Sequence, residues 1–339
     1  MLREAINLFV QGINLSETEM AACMCEIMEG RATDAQTGAF LTALRIKGET
    51  VEEITGAARI MREKATMIAA PEGVIDTCGT GGDMSGTFNI STTTAIVVAS
   101  SGIPVAKHGN RSVSSQSGSA DVLEALGIKI DLSPEKVEQC LFETNFGFLF
   151  APRFHPAMKF AIGPRREIAI RTIFNILGPL TNPAGAKKQI LGVFADRLTE
   201  PLASVLGKLG ATDAIVVHGE DGLDEITLCD GTRISRYNNG KVETTYIMPE
   251  DFGFKRAKID DLLGGGKEKN AEITMSVLNG EQGPRRDIVL INCAAAIVVA
   301  GMTDNFNTAK EIAVEAIDSK KATRKLDEIR RTTSLLSLK

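Results

Sequence analysis

The sequence lacks most of the signatures that would point to a chemistry at once. Its six cysteines, Cys23, Cys25, Cys78, Cys140, Cys229 and Cys293, contain no C-x-x-C pair and have no histidine cluster nearby. They read as small buried hydrophobes in a reducing compartment. The histidines, His108, His155 and His218, have no zinc-type spacing. There is no G-x-S-x-G and no Cys/His dyad, which argues against a covalent intermediate. Neither a G-x-x-x-x-G-K-[ST] loop nor a G-x-G-x-x-G loop with its later acidic residue is found, so P-loop and dinucleotide folds have little support. The longest apolar run, Ile288 to Gly301, is interrupted by Asn292 and is too short to span a bilayer; it predicts a buried helix. Arg3 and Glu4 follow close on Met1, so no secretory signal is expected and the cytoplasm is the expected location. With 38 basic and 43 acidic residues the net charge is −5, unfavourable for nonspecific duplex binding. No membrane and no nucleic-acid partner is expected, and an anionic ligand must be held by local devices or by a metal.

What is present divides the 339 residues into two parts. Residues 1 to about 68 read as all-helical. Ser16 with Glu19 and Thr50 with Glu53 have capping-box spacing, Gly30 and Gly48 stand where helices should stop, and Ile54, Ala57, Ala58 and Met61 share a helical face. This layer is either a packing module or an oligomerisation surface. From Pro71 onward strands alternate with helices. Val74-Ile75, Val105-Ala106, Phe148 to Phe150, Ile190 to Phe194 and Ala214 to Val217 are the strand candidates, Thr92 to Ser101 is a buried helix, and 306 to 334 returns to helix. Asn239-Gly240 between strand-like segments predicts a hairpin. The expected fold is α/β: an N-terminal helical domain, residues 1–70, joined by the helices of about 156–182, and a larger α/β domain, residues 71–155 and 183–339, around a central, largely parallel sheet.

Three stretches carry the chemistry. The first, Gly79-Thr80-Gly81-Gly82-Asp83, follows a strand and leads to Asn89-Ile90-Ser91-Thr92 at a helix start, where Ser91 or a neighbour can cap the helix. A tight turn would explain the glycines alone; the helix start adds free N–H groups and positive potential for an anion. The second, Lys107 to Ser119, offers Lys107 and Arg111 as phosphate counter-charges and a row of serine donors, or else is a solvated loop. The third, His218-Gly219-Glu220-Asp221-Gly222-Leu223-Asp224-Glu225, ends an apolar strand with four carboxylates in six residues. It is a solvated acidic turn taken alone and a Mg²⁺ site beside two phosphate loops. With no nucleophile motif, the chemistry should rest on positioning and charge stabilisation.

DTCGTGGD, FNIST, KHGNRSVSSQSGSADVLEALG, FLFAPRFHPAMK, GPRREIAIRTIFNILGPLTNP and HGEDGLDE, spanning residues 76–225, resemble the anthranilate phosphoribosyltransferase family, and the helical N-terminus fits as well. The resemblance implies an active site in the cleft between the two domains and a homodimer formed through the helical domains. It implies that 5-phosphoribosyl 1-diphosphate and anthranilate give N-(5-phosphoribosyl)anthranilate and pyrophosphate with Mg²⁺, the second step from chorismate to tryptophan. It places the diphosphate donor among Gly79, Gly82, Asp83, Thr87, Asn89, Ile90, Ser91 and Thr92, with Lys107, His108, Gly109, Asn110, Arg111, Ser112, Val113, Ser114, Ser115 and Ser119 completing the cradle. It places anthranilate against Asn110 and Arg165, with Gly79, His108 and Gly178 beside them, and the metal on Ser91, Asp224 and Glu225. Two rival readings are a nucleoside phosphorylase of related fold and a non-catalytic nucleic-acid-binding relative; the Asp224-Glu225 pair and the net charge argue against them respectively.

Overall fold

The structure, a computed structural model, describes residues 1–83, 85–112 and 116–338. Four helices open the chain: α1 (Leu2–Val10), α2 (Glu17–Met28), α3 (Asp34–Lys47) and α4 (Val51–Glu63). The Ser16/Glu19 and Thr50/Glu53 capping boxes form, and Thr33/Gln36 makes a third at the start of α3. Then follow β1 (Ile75–Gly79), α5 (Ile90–Ser100), β2 (Val105–Gly109), α6 (Ser119–Ala125), α7 (Pro134–Thr144), β3 (Phe146–Phe150), α8 (Ala151–Phe154), α9 (Lys159–Ile168), α10 (Phe174–Leu177), β4 (Lys188–Gly192), α11 (Thr199–Lys208) and β5 (Asp213–Gly219). The chain ends with β6 (Thr232–Asn238), β7 (Lys241–Ile247), α12 (Lys267–Leu278), α13 (Pro284–Ala300), α14 (Phe306–Asp318) and α15 (Lys321–Leu338).

The strands form one seven-stranded sheet in the order β3-β2-β1-β4-β5-β6-β7. Strands β1 to β5 are parallel, and β6 and β7 add an antiparallel edge. The β6–β7 hairpin turns at Asn239 (φ 50°) and Gly240 (φ 80°), the pair of left-handed residues that the Asn-Gly signal predicts. The chain runs outward from β1 to β3, then returns to the other side of β1 as β4. This reversal opens a crevice at the carboxyl ends of β1 and β4, the usual ligand position in an open α/β sheet. Gly79 and Gly192 end those strands and pair with one another.

The expected strands at Val74-Ile75 and Val105-Ala106 are too short. β1 continues through Asp76-Thr77-Cys78-Gly79 and β2 through Lys107-His108-Gly109. Apolar runs understate them because Asp76, Thr77 and Lys107 are buried polar residues with partners inside the sheet. Lys107 and His108 are therefore strand residues, not loop residues.

One face of the sheet packs against α5, α12, α13, α14 and α15 around Ile96, Val98, Ile291 and Ile297. The other face, through Leu191 and Val216, shares a second core with the N-terminal helices and α10 and α11. α9 packs on α3 and α2, α10 on α4, and α4 on α11. Arg62 of α4 fastens this junction, donating to the Leu180 carbonyl at 2.8 Å and the Leu209 carbonyl at 2.9 Å. Phe9, Met24, Phe40, Leu41 and Leu44, apolar positions that are many for four helices to cover, are buried within the chain. α9, α10 and α11 supply the missing cover. Val10 and Ile46 remain 76% and 82% exposed. No helix of the described residues is long and apolar enough to cross a membrane. All six cysteines are free thiols.

Candidate active site

The crevice is built first by what is missing from it. A Cβ on Gly192 would lie 1.5 Å from the Asp224 carbonyl oxygen, and one on Gly79 would lie 2.7 Å from the Asp224 carboxylate. Glycine at both strand ends thus lets the acidic loop cross the switch point. The acidic run does not end the strand as expected. β5 stops at Gly219, and the chain turns through Gly222 (φ 95°) before reaching Asp224 and Glu225. That turn separates the four carboxylates. Asp221 is used locally, accepting from Thr227 Oγ1 at 2.6 Å and the Leu223 N–H at 3.3 Å, and Glu220 is exposed. Asp224 and Glu225 face the glycine-rich loop and α5: Asp224 accepts from the Gly81 N–H at 2.8 Å, and Glu225 from the Ser91 N–H at 3.2 Å.

α5 begins without a side-chain cap. Asn89 holds the N-cap position, but its Oδ1 accepts from Asn270 Nδ2 at 2.9 Å and its Nδ2 reaches the Ser117 carbonyl at 3.4 Å. Neither Asn89 nor Ser91 caps the helix, and an orphan N–H of its first turn goes to Glu225 instead. Ile90 and Thr92 are buried in this turn. Thr87 and Asp83 lie in the loop before it, where Ser85 Oγ donates to Asp83 Oδ2 at 2.6 Å and lies 3.2 Å from Thr87 Oγ1. From β2, the 2% exposed Lys107 donates to the Thr77 carbonyl at 2.5 Å and to Ser91 Oγ at 3.2 Å.

Burial raises the pKa of both carboxyls. For Asp224 nearby Asp83 adds to the rise; for Glu225 Asp224 adds to it while Lys107 opposes it. Burial lowers the Lys107 pKa against the pull of Asp76 and Glu225. Among the described residues no salt bridge reaches Asp224 or Glu225, and no group of three or more His, Cys, Asp or Glu is placed to hold a metal by itself. Two hard, under-compensated carboxylates beside a hydroxyl fit a divalent ion that takes one or two protein oxygens and completes its shell from a phosphate ligand.

The other wall is neutral. His108 Nδ1 lies 3.1 Å from the Gly178 carbonyl, which can only accept, so Nδ1 carries the proton. His108 Nε2 then accepts from His155 Nε2 at 3.2 Å. Burial pushes the His108 pKa down to about 3, helped by His155, and pushes that of His155 down to about 4. A Cβ on Gly178 would meet nothing within 4 Å, so the space beside that residue is open. Arg165, on α9, is half-buried over the Phe174 ring at 5.1 Å, with no hydrogen-bonding or ionic partner among the described residues.

The second loop is partly self-satisfied. Arg111, with Asp121 at 2.7 Å and Glu124 at 3.1 Å, spends its charge on α6. Asn110 Oδ1 accepts from the Arg111 N–H, and the Asn110 carbonyl accepts from Ser119 Oγ at 3.3 Å. Gly109 makes room for that hydroxyl, which would lie 2.3 Å from a Cβ there. The Ser112 N–H donates to Asp121 at 3.3 Å. Val113, Ser114 and Ser115 lie outside the described residues.

Three supporting residues escape sequence reasoning. Asp76 is fully buried, accepts from the His108 N–H at 3.2 Å and from Asn182 Nδ2 at 2.8 Å, and is pushed up to about 6 by burial. Asn182, from the Leu-Thr-Asn-Pro turn, also donates to the Ala106 carbonyl at 2.8 Å and so locks that turn to β1 and β2. Arg171 lies over Phe194 at 4.3 Å and donates to the Gly82 carbonyl, bridging the helical side to the first loop. The local signal for Asp76 is a carboxylate inside an apolar strand. Arg171 follows Arg165 and Arg166 closely in the chain, yet nothing there says that it reaches Gly82.

Residues 71–323 match the glycosyl transferase family a/b domain and residues 3–65 its helical bundle domain. An anthranilate phosphoribosyltransferase of Acetivibrio thermocellus is 55% identical over 99% of this chain and 98% of its own length. The crystal structure of an anthranilate phosphoribosyltransferase from Thermus thermophilus is 40% identical and superposes with a TM-score of 0.92, covering 97% of this chain and 99% of that one. A Saccharomyces cerevisiae anthranilate phosphoribosyltransferase in complex with PRPP and Mg is 28% identical with a TM-score of 0.89, covering 98% of both chains. The same yeast protein has also been solved in complex with 4-fluoroanthranilate.

Proposed function

From the premise that this chain belongs to the anthranilate phosphoribosyltransferase family, we propose how its own residues divide the work. The reaction transfers the 5-phosphoribosyl group of 5-phosphoribosyl 1-diphosphate to the amine of anthranilate, a step of tryptophan biosynthesis. The diphosphate lies at the β1/β4 crevice, on the first loop (Gly79, Gly82, Asp83, Thr87) and the start of α5 (Asn89 to Thr92). Lys107 and, among the described residues of the second loop, Asn110 to Ser112 and Ser119 complete the cradle. Asp224, Glu225 and Ser91 would hold Mg²⁺, which when bound would supply charge neutralisation for the departing pyrophosphate. Lys107 and the N-terminal dipole of α5 stabilise the same developing charge.

The acceptor side works by exclusion and orientation. Arg165 grips the anthranilate carboxylate in fork geometry, Asn110 orients the ring, and the His108–His155 pair and Gly178 form a neutral wall beside it. Anthranilate's amine is neutral at pH 7 and attacks the anomeric carbon without a strong base. The lone pair of His108 is already occupied by His155, so this ring positions rather than deprotonates.

The observation that carries this reading is the under-compensated Asp224-Glu225 pair, set across the strand ends and aimed at an uncapped helix start. Pyrophosphate release tests it: release should require 5-phosphoribosyl 1-diphosphate, anthranilate and Mg²⁺ together. Phosphorolysis of a nucleoside with inorganic phosphate, and no pyrophosphate, would favour the phosphorylase instead. The reading extends to a homodimer through the helical domain, supported by the exposed Val10, Ile13 and Ile46, and to a cytoplasmic enzyme, supported by its free thiols. The domain boundaries at about 70, 155 and 183 are part of it, supported by the packing of α9 and α10 against the N-terminal helices.

A further inference from the structure

Asn292 lies near the middle of α13, flanked by Ile288, Val289, Leu290, Ile291, Cys293 and Ala294, and is 1% exposed. Every group of its amide is used. Nδ2 donates to the Ile226 carbonyl at 2.9 Å and to the Ile288 carbonyl at 2.8 Å, and Oδ1 accepts from the Ile226 N–H at 3.0 Å. The side chain thus meets both backbone groups of one residue, as a neighbouring strand would. That residue directly follows Glu225. The loop there has no secondary structure to hold it, and Ile226 is itself buried.

α13 also packs along α5, with Cys293 Sγ 3.8 Å from the Thr94 carbonyl. One helix therefore references two parts of the site: the body of α5, and the backbone that carries Glu225 to the start of α5. We infer that Asn292 is a positioning residue for Mg²⁺–diphosphate binding, setting where the Asp224-Glu225 carboxylates stand relative to the first turn of α5. A buried amide in an otherwise apolar stretch fits that role, because removing it strands an N–H and a carbonyl that have no nearby replacement. The inference rests on the proposed metal role of Asp224 and Glu225.

The test uses the full-length protein and Asn292→Leu, Asn292→Ser and Val298→Ala. Leu is close to Asn in size and removes both bonds to Ile226. Ser keeps a hydroxyl that can meet one of them and serves if the Leu variant does not fold. Val298→Ala trims the same buried helix away from Ile226 and reports on stability loss alone. Calorimetric titration with Mg²⁺ and pyrophosphate, and the KM values of both substrates, are measured for each. Supporting groups around metal ligands are typically worth about 10- to 100-fold in affinity or activity. The Leu variant should weaken Mg²⁺–pyrophosphate binding by about tenfold or more and raise the donor KM similarly, with the anthranilate KM within about twofold; Ser should fall between. A Leu or Ser variant that loses thermal stability as Val298→Ala does, yet binds Mg²⁺–pyrophosphate as the parent does, overturns the inference. Asp224→Ala with Glu225→Ala separates the premise from it: normal binding in that double variant would remove the metal role itself.

Discussion

On the proposed donor wall of the cleft, Asp224, Glu225 and Lys107 are ionisable groups held where burial disfavours charge. On the acceptor wall, His108 and His155 are titratable groups that burial keeps neutral, and Arg165 is the one permanent cation proposed to face substrate. The walls meet at β2, where Lys107 and His108 are consecutive and, as neighbours in a strand, point to opposite faces. One residue step thus separates the group proposed to stabilise the leaving pyrophosphate from the ring proposed to line the nucleophile's pocket. The same separation explains how an acidic protein can bind a polyanion. Its counter-charges are local, and its carboxylates are the groups proposed to hold a metal rather than to repel the ligand outright.

The largest expected effect breaks the donor wall. Asp224→Ala with Glu225→Ala should lower kcat/KM by roughly 10³-fold, the scale of losing a principal electrostatic stabiliser. The melting temperature should hold or rise, because two under-compensated, half-buried acids are removed. Unchanged Mg²⁺-dependent turnover would show that the pair does not hold the metal. Next, Lys107→Met should cost roughly 10²-fold in kcat while leaving the anthranilate KM nearly constant, read from initial rates over a grid of both substrates.

The acceptor wall should fail differently. Losing a charge-assisted bond of about 1.5–3 kcal/mol predicts that Arg165→Ala raises the anthranilate KM by roughly ten- to a hundredfold and barely moves the donor KM. The histidines of one wall and the carboxyls of the other should also respond to pH with opposite sign. His108 and His155, with folded values near 3 and 4 against about 6.5 when unfolded, bind fewer protons folded than unfolded. Their contribution is fully present above about pH 6.5 and is lost as pH falls from there toward about 4 for His155 and about 3 for His108. The raised carboxyls of Asp76, Asp224 and Glu225 bind more protons folded, so their contribution is lost as pH rises through their folded values. Denaturant midpoints of the metal-free protein should show the acid-side loss shrinking in His155→Gln, by an amount on the order of 2 kcal/mol. An unchanged acid limb would show that His155 does not stay neutral in the folded protein.

The smallest effect on catalysis concerns the helical domain. Val10→Asp with Ile46→Asp should give monomers by light scattering, with much of the turnover kept. A dimer that survives would place the interface elsewhere.

Legibility in the sequence also follows the division between regions. The N-terminal helices announce themselves through Ser16/Glu19 and Thr50/Glu53, because a capping box is local chemistry within four residues. The Asn239-Gly240 turn is legible for the same reason. The carboxyl halves of β1 and β2 are not, since Asp76 and Lys107 look like loop residues until their partners, at Asn182 and Thr77, are placed in space. The acidic run offers four carboxylates, but which two of them reach the first loop and α5 depends on a turn at Gly222 and on the bonds of Asn292 to Ile226. Both the anchor and the Arg171–Gly82 contact link residues too far apart in the chain to leave a pattern.

The most direct test of the two-wall account is a matched pair of KM measurements on Arg165→Ala and on Asp224→Asn with Glu225→Gln, following pyrophosphate release at saturating Mg²⁺. The account predicts crossed behaviour: the anthranilate KM rises in the first, and the donor KM rises or donor turnover collapses in the second, with the other substrate's KM nearly constant in each. Both KM values rising together in both variants would contradict it, because the site would then respond as one unit rather than as two walls with separate charge logic.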